Sequence, residues 1–305
     1  MNIYLHVEMT LRELDSKLLL ATLAASRGHQ VIISDIESIE KGLKRGVLTP
    51  GIFHTKSLTP SKLKIARHQA MIKNGTLITS IDEENDLMLH GYNEFAKIRY
   101  SEQTVKDSAA IFGWGPEDVD TLKQVYPKHS LKIHKTGSPR VDLWNSNLSK
   151  YWGVPQGVPK RPFLLVNSNM SYANFEEPFR DLISRDRMGG YFQRDPDKFM
   201  RNFGFIAENY QTIAAFIEAI KYLSEFNNGY DIVLRPHPTE SIENWKVYLE
   251  GIPNVHVIRE GSVTPWIKNA FAVMHNGCTT ALETTVSGTP LLSYVPFKQE
   301  YNFDL

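Results

Sequence analysis

The stretch from residue 271 to 296, FAVMHNGCTTALETTVSGTPLLSYVP, decides the fold of this chain. Its apolar start, residues 271–274, is typical of a buried strand in a parallel sheet, and polar residues follow at once. Residues 278–287 then carry apolar or small side chains at helical spacing. A glycine and a proline end this helix before a second apolar strand, so the stretch predicts a compact β-α-β unit.

The start of the predicted helix is a candidate anion site. Asn276 and Gly277 precede it, and Thr279 and Thr280 lie in its first turn, where backbone N–H groups have no partner within the helix. Because the positive end of the helix dipole lies there as well, a phosphate group is the expected ligand. Glu283, one turn further on, is a weaker candidate. A helix capped by its own threonines, with no ligand, is the alternative.

Composition indicates an ordinary globular protein of two domains. The chain has 305 residues, of which 42% are hydrophobic and 22% are charged. Lys and Arg together number 34, as do Asp and Glu, so no global positive charge would attract nucleic acid. The single cysteine, Cys278, excludes an intrachain disulfide and four-ligand zinc spacing and favours a reducing, cytoplasmic compartment. No apolar run is long enough to span a bilayer.

Alternating strand and helix patterns predict two doubly wound α/β domains. Residues 1–147 form the first and 162–305 the second, and glycine and proline residues mark 148–161 as a linker. The strands expected in the first domain are 2–7, 30–34, 47–53, 76–80, 97–100, 109–114 and 131–135. Those of the second are 163–167, 231–234, 255–258, 271–274 and 291–294, with a long helix at 205–226. Residues 171–201 read as a polar insertion or mobile loop, and a stop soon after a strand suggests a fragment.

Further candidates in the second domain follow other strands. Arg235 and His237 end the strand at 231–234, and Asn167 and Ser168 end the strand at 163–167. Ligands of open α/β sheets bind beyond the carboxyl ends of the strands, so these side chains are expected in the crevice that holds Thr279. Two prolines restrict the backbone around His237. A turn histidine with a structural hydrogen bond, and a simple polar turn at Asn167, are the alternatives.

Three successive acids, Asp82, Glu83 and Glu84, follow a strand of the first domain. A carboxylate at a strand end that faces a cleft could act as a general base toward an attacking hydroxyl, and Asp82 is preferred because it comes first. Acids that cap a helix are the alternative. Lesser candidates are expected to contact the acceptor or the cleft, with a solvated face or an interdomain salt bridge as the alternatives. They are Arg12, Glu13, Lys17, Lys56 and Arg140.

These motifs carry a resemblance to a known class. Asp82-Glu83, His237-Pro238 and Thr279-Thr280 resemble the motifs of GT-B glycosyltransferases that use CMP-activated sugars, such as bacterial sialyltransferases. In that class the acidic motif supplies the base, His-Pro contacts the CMP and the Ser/Thr pair contacts its phosphate. Glu84-Asn85 stands where the class has glycine, which leaves open which acid is the base.

A closer resemblance, over most of the chain, is to a family of bacterial surface carbohydrate biosynthesis proteins. The matching motifs are 12–15 (RELD), 28–29 (GH), 56–57 (KS), 82–84 (DEE), 112–115 (FGWG), 136–140 (TGSPR) and 235–238 (RPHP). The resemblance implies a GT-B-like pair of Rossmann-like domains facing a cleft, an incomplete C-terminal part, and polysaccharide or lipopolysaccharide assembly in the cytoplasm.

The implied activity is transfer of a Kdo-like or nonulosonic acid residue from a CMP-activated donor to a glycan or lipid-linked acceptor. It needs no metal or other cofactor and no nucleic acid, and peripheral association with the inner membrane is a further expectation. Three alternatives stay open: a CDP-polyol phosphotransferase of the teichoic-acid type, an enzyme like UDP-sugar 2-epimerase, and a non-catalytic nucleotide-sugar-binding protein.

Overall fold

A computed structural model describes residues 1–85, 91–175, 196–226 and 229–297. Its contacts divide the chain into two compact units, Met1–Tyr151 and Trp152–Leu305. This boundary falls inside the segment 148–161, for which the sequence predicts a linker.

The first unit is built on a six-stranded sheet in the order β2-β1-β3-β4-β5-β6, with every neighbouring pair parallel. The strands are β1 Asn2–His6, β2 Gln30–Ser34, β3 Ile52–Thr55, β4 Leu77–Ile81, β5 Ser108–Gly113 and β6 Ile133–Lys135. The helices are α1 Thr10–Ala25, α2 Ile36–Lys44, α3 Lys62–Lys73, α4 Tyr92–Arg99, α5 Glu102–Asp107, α6 Pro116–Val125 and α7 Pro139–Trp144.

Burial on one face of this sheet fixes the layers of the first unit. Tyr4, Phe53 and Ile111 lie on neighbouring strands and are almost fully buried against α2, α3 and α6. The chain steps from β1 outward to β2 and then returns to β3 on the other side of β1. The strand order therefore reverses between β1 and β3, and the polar residues that follow these strands meet at the carboxyl edge.

The second unit has a five-stranded parallel sheet in the order β11-β10-β7-β8-β9. Its strands are β7 Phe163–Asn167, β8 Asp231–Arg235, β9 Val255–Val257, β10 Ala272–His275 and β11 Leu291–Ser293. Its helices are α8 Pro196–Glu225, α9 Ile242–Tyr248, α10 Thr264–Asn269 and α11 Thr280–Ser287.

Both faces of the second sheet are buried, which explains why its strands are continuously apolar. Val166 and Ile232 pack on one face with Phe216 of α8, whereas Leu165 and Val273 pack on the other with Trp266 of α10. The order of the strands reverses between β7 and β10. This reversal places the opening stretch, β10-α11-β11, beside the end of β7.

Three sequence predictions differ from the structure. Residues 97–100, expected as a strand, end helix α4 instead, because Ala96 and Tyr100 both face the core at the i, i+4 spacing of a helix. The third strand begins at Ile52 rather than at residue 47, which is exposed. Helix α8 begins at Pro196, inside the predicted insertion of 171–201. The part of that insertion from 176 to 195 lies outside the described residues.

We expect Ile232→Ala to destabilise the second unit by about 2–5 kcal/mol, because Ile232 is fully buried in the central strand β8 and the change leaves a cavity. Val247→Ala on helix α9 is the matched control, since Val247 is 68% exposed and its truncation should change stability by no more than about 0.5 kcal/mol. Chemical denaturation of both variants checks the prediction. Equal midpoints would contradict the assignment of Ile232 to the core.

Candidate functional site

The acids of the first unit lie in the turn that follows β4. Their side chains differ in exposure: 1% for Asp82, 4% for Glu83 and 25% for Glu84. Each acid is paired with a different set of cations, and we call this turn the acid turn.

Asp82 is bound by the guanidinium of Arg99. Nη2 of Arg99 donates to Oδ1 at 2.7 Å and Nε donates to Oδ2 at 2.9 Å, while the backbone N–H of Glu84 donates to Oδ1 at 2.9 Å. The indole N–H of Trp114 holds the backbone of the turn by donating to the Asp82 carbonyl at 2.8 Å. Burial raises the pKa of Asp82, and the hydrogen bonds and charge of Arg99 act against that rise.

Glu83 forms a buried ion pair with Lys17 of helix α1, at 2.6 Å from Nζ to Oε1. Lys17 has no exposed side-chain surface. A second cation, Arg140 of α7, donates to the backbone carbonyl of Glu83 at 2.8 Å. Removal of one partner from a buried pair leaves an uncompensated charge, which costs about 3–5 kcal/mol. The acid turn is therefore fastened to both α1 and α7.

Glu84 lies among three cations. Arg12 donates to Oε1 at 3.0 Å, Arg99 donates to Oε2 at 2.9 Å, and Nζ of Lys56 lies 3.9 Å from Oε1. Burial acts to raise the pKa of Glu84, but the attraction of Arg99, Arg12 and Lys56 outweighs it, so the pKa lies below its ordinary value. The carboxyl of Glu84 is accordingly ionised at neutral pH.

Glu13 completes the network from helix α1. Its fully buried carboxylate accepts the backbone N–H of Glu8 at 2.8 Å and an Arg12 N–H at 3.2 Å, and Lys56 lies 3.6 Å away. The structure thus brings together every site residue that the sequence predicts in the first unit. Sequence reasoning missed Arg99, which no motif marks, because it lies 17 residues after Asp82 and reaches the acid turn only through the packing of α4.

Buried histidines lie behind the acid turn. Nδ1 of His6 lies 3.3 Å from Oγ1 of Thr55, and His54 makes the same kind of contact with Thr79 at 3.0 Å. Burial lowers the pKa of His6 and of His68, on helix α3, to about 4, and it lowers the pKa of His54 well below its ordinary value. These side chains are neutral at physiological pH.

Arg235, a predicted donor-binding residue of the second unit, is engaged by the backbone. Nη1 donates to the carbonyl of Glu260 at 2.9 Å, and Nη2 donates to that of Gly261 at 2.7 Å. The guanidinium carbon lies 5.1 Å from the ring centre of Trp266. Burial lowers the pKa of Arg235 to about 10. These contacts are those of an arginine that holds the loop after β9.

His237 has a defined tautomer. The backbone N–H of Thr239 donates to its Nδ1 at 3.3 Å, so Nδ1 is an acceptor and Nε2 carries the proton of the neutral ring. The hydroxyls of Thr239 and Ser171 lie 2.8 Å and 3.1 Å from the same Nδ1. The turn therefore fixes the orientation of the imidazole, as the flanking prolines predict.

The reversal of strand order between β7 and β10 places polar side chains side by side. Nδ2 of Asn167 donates to Oγ1 of Thr280 at 3.2 Å, and Nδ2 of Asn276 contacts Sδ of Met170 at 3.2 Å. The Oδ1 atoms of Asn167 and Asn276 are buried and have no hydrogen-bond partner among the described residues. Unpaired buried polar atoms are rare in folded proteins, and they are characteristic of functional sites.

The N-terminus of helix α11 closes this region. Gly277 has a positive φ of 80°, and its N–H and that of Cys278 both donate to Nδ1 of His275, at 3.0 Å and 3.3 Å. Thr279 occupies the N-cap position with helical backbone angles and without a side-chain cap hydrogen bond. The alternative of a helix capped by its own threonine is therefore not what the structure shows.

Two predicted residues of the second unit serve the packing instead. The hydroxyl of Ser168 donates to Glu240 at 2.8 Å, within a buried cluster that also includes the indole N–H of Trp245. Glu283 is 3% exposed and accepts the hydroxyl of Thr264 of α10. Arg235, Ser168 and Glu283 thus have internal partners, whereas Asn167, Asn276 and Thr280 meet at the reversal of strand order.

Two further properties bear on the predicted ligands. Within the described ranges, no group of three or more His, Cys, Asp or Glu side chains could hold a metal ion. Of the helices seen in those ranges, none is long and apolar enough to cross a bilayer.

Comparison by sequence finds no relative: no protein-family profile matches the chain, and no curated protein matches it. Solved structures do match. A putative UDP-N-acetylglucosamine 2-epimerase from Listeria monocytogenes has a TM-score of 0.57 and 10% identity over 98% of this chain and 80% of its own. The S. aureus MnaA-UDP structure has a TM-score of 0.56 and 11% identity, with coverages of 96% and 78%. The wall teichoic acid polymerase TagF, soaked with CDPG, has a TM-score of 0.51 and 9% identity, with coverages of 96% and 69%.

This likeness defines the class of protein. The two parallel-sheet α/β units match the Rossmann-type architecture of GT-B-like enzymes, which confirms the predicted fold class. The similar structures are nucleotide-sugar epimerases and a polymerase of wall teichoic acid. At such low identity the likeness shows the fold alone, and the choice among these activities is a matter for proposal.

We expect Arg235→Gln to destabilise the second unit by about 1.5–3 kcal/mol per lost charged hydrogen bond, because the carbonyls of residues 259–261 lose their donor. Calorimetric unfolding tests this, with Arg259→Gln as the control at a surface position that donates to fewer carbonyls. If Arg235→Gln kept full stability and lost only affinity for a nucleotide, the donor-binding role predicted from the sequence would be correct.

We expect the free energy of unfolding to fall as the pH drops from about 6.5 to about 4. Buried His6 and His68 stay neutral in the folded state down to pH about 4, whereas the unfolded chain binds protons already near pH 6.5. The unfolded state therefore gains protons first. Melting temperatures of the wild type and of His68→Leu, measured across this range, should converge toward low pH. His256→Gln, with a 43% exposed side chain, is the control, and parallel curves for His68→Leu would refute the argument.

Proposed function

We propose that this chain is a glycosyltransferase of bacterial surface polysaccharide or lipopolysaccharide assembly, which transfers a Kdo-like or nonulosonic acid residue from a CMP-activated donor to a glycan acceptor. The observation that carries the proposal is the polar group at the reversal between β7 and β10, where Asn167, Asn276 and Thr280 adjoin the start of helix α11. Open α/β sheets bind nucleotides at such a reversal.

The donor side of the proposal follows from the chemistry of this region. The first turn of α11 presents backbone N–H groups and the positive end of the helix dipole, which favour a phosphate. The hydroxyl of Thr280 can donate to a phosphate oxygen, and the buried Oδ1 atoms of Asn167 and Asn276 suit ligand donors such as the hydroxyls of a ribose. His237, with the proton on Nε2, supplies a further donor from a fixed ring.

The acceptor side of the proposal rests on the acid turn and the cations around it. Transfer requires that the acceptor hydroxyl lose its proton as its oxygen attacks the activated carbon of the donor. An ionised carboxylate can take that proton, and the acid turn is ionised at Glu84 because cations surround it. Arg12 and Lys56 are 29% and 11% exposed, so they can also contact an acceptor that carries negative charge.

A teichoic-acid type of chemistry is the second candidate. The solved TagF structure contains CDPG and shares this fold over 96% of the chain. A CDP-polyol phosphotransferase would use the same elements, namely a cytidine nucleotide at the α11 end and a base for the acceptor hydroxyl. The difference lies in the bond that breaks: the donor loses CMP from a phosphorus atom in polyol transfer, but from a sugar carbon in sugar transfer.

An epimerase is the third candidate, because two of the similar structures are UDP-N-acetylglucosamine 2-epimerases or bind UDP. It would act on a uridine nucleotide and would need no acceptor. A panel of CMP, CDP, UMP, UDP and GDP in a thermal-shift assay separates this candidate from the two cytidine-dependent ones, because a ligand that binds the folded state raises the melting temperature. Stabilisation by UDP alone would reject the cytidine proposal.

We expect Thr280→Ala and His237→Ala each to weaken CMP binding about 5- to 150-fold, which corresponds to the loss of about 1–3 kcal/mol for one polar contact to an anion. Thr285→Ala is the matched control, because its hydroxyl bonds to its own helix on an exposed face. Titration calorimetry with CMP measures all three variants. Unchanged affinity in both Thr280→Ala and His237→Ala would remove the donor site from this region.

A further inference from the structure

The three acids of the acid turn are not equivalent, and their environments decide which one can meet a substrate. Asp82 has both oxygens engaged by Arg99, and one of them also accepts the N–H of Glu84. Its side chain is 1% exposed. A substrate hydroxyl could reach Asp82 only after the guanidinium had moved away, which would leave two buried charges without partners.

Glu83 is excluded in a similar way. Its carboxylate is 4% exposed and lies 2.6 Å from the ammonium of Lys17, which is completely buried. The backbone carbonyl of Glu83 is held by Arg140, so the residue cannot rotate outward without loss of that bond as well. The pair Lys17–Glu83 is a structural connection between α1 and the acid turn.

Glu84 is the acid of this turn with an accessible side chain. It is 25% exposed, and its two oxygens accept one close hydrogen bond each, from Arg12 and from Arg99. A carboxylate has about four lone-pair positions, so Glu84 can accept a further hydrogen bond without breaking an existing one. The cations are placed on its sides and leave part of the carboxylate open to solvent.

We infer that Glu84 is the acid that meets the acceptor hydroxyl, and that Arg99 is its positioning residue. This inference rests on the proposed function. The hydroxyl oxygen of the acceptor forms the new bond to the activated atom of the donor, the bond from that atom to the nucleotide phosphate breaks with its electron pair, and the hydroxyl proton passes to Oε of Glu84. The nucleotide leaves as its phosphate, and Glu84 later releases the proton to water.

Arg99 acts on Glu84 in two ways. It binds Asp82 through two hydrogen bonds and Glu84 through a third, so the guanidinium fixes both carboxylates with one planar group. Its charge also favours the ionised form of Glu84. Lysine at this position would keep the charge but could not bind two carboxylates with the same geometry.

Two measurements on the whole chain test this inference. The first is chemical: a water-soluble carbodiimide with an amine nucleophile should label Glu84 more than tenfold faster than Asp82 or Glu83, as read by peptide mass spectrometry. Exposure alone predicts this order. Equal labelling of the three acids, or preferential labelling of Asp82, would overturn the inference whether or not the protein turns over any donor.

The second measurement is kinetic, with release of CMP from CMP-N-acetylneuraminic acid, CMP-Kdo and CDP-glycerol. Glu84→Gln should lower the rate about 100- to 10,000-fold with CMP affinity unchanged, since only the proton acceptor is lost. Asp82→Asn and Glu83→Gln should lower the melting temperature and cost the folded enzyme less than Glu84→Gln does. A Glu84→Gln enzyme as fast as wild type, or one less impaired than Asp82→Asn, would overturn the assignment.

The pH profile separates positioning from a merely structural role. Because removal of a neighbouring positive charge raises the pKa of a carboxyl, Arg99→Gln should move the acidic fall in rate to higher pH, and Arg99→Lys should move it less. Arg67→Gln is the matched control: Arg67 also binds two acids, Glu37 and Glu40, but at a distance from the acid turn. An unshifted profile in Arg99→Gln would refute the positioning role.

Failure of the proposed function gives a different pattern. If no donor releases CMP and no cytidine nucleotide stabilises the wild type, the glycosyltransferase proposal is rejected while the labelling order still decides which acid faces solvent. If the wild type is active and Glu84→Gln is too, the inference about Glu84 fails and the proposed function stands.

Discussion

The first unit depends on the requirement that charges buried at the end of β4 be paired. Lys17 and Glu83 are both almost without exposed surface, and Asp82 is equally buried beside Arg99. In such surroundings an unpaired charge costs several kcal/mol, so α1, α4 and α7 can pack here only in positions that bring their cations to the acids. The ion pairs thereby fix three helices against one edge of the sheet, and they leave Glu84 as the acid at the surface.

The second unit satisfies its buried polar groups differently. Its strands are apolar on both faces, and the polar residues are confined to the carboxyl ends of β7, β8 and β10. Arg235, Ser168 and Glu283 find partners in neighbouring loops and helices, whereas Asn167 and Asn276 retain oxygens without a partner. This contrast distinguishes groups that stabilise the unit from groups that a ligand could complete. It also places the ligand region where parallel sheets offer a crevice.

The similar structures include epimerases and a polymerase, which share the architecture at about a tenth of identical residues. One architecture therefore supports several reactions, and function has to be argued from the side chains of the site. In this chain the argument favours a nucleotide near α11 and a proton acceptor in the acid turn. Both features are common to sugar transfer and polyol transfer, so the identity of the donor separates the two.

The sequence by itself determined the α/β class, the two-unit organisation and most strands, because continuous apolar runs that alternate with helical periods have few other solutions. It also marked the acids, His237 and the start of α11 through their position after strands. It misjudged residues 97–100, since a four-residue segment does not reveal its period. Only the tertiary structure decided the partners of each charge. Arg99 reaches Asp82 and Glu84 from another helix, and Arg235 turns inward to carbonyls of a later loop. Such pairings join residues distant in the sequence, and the physical reason that they form, the cost of burying an unpaired charge, exists only once the chain has folded around them.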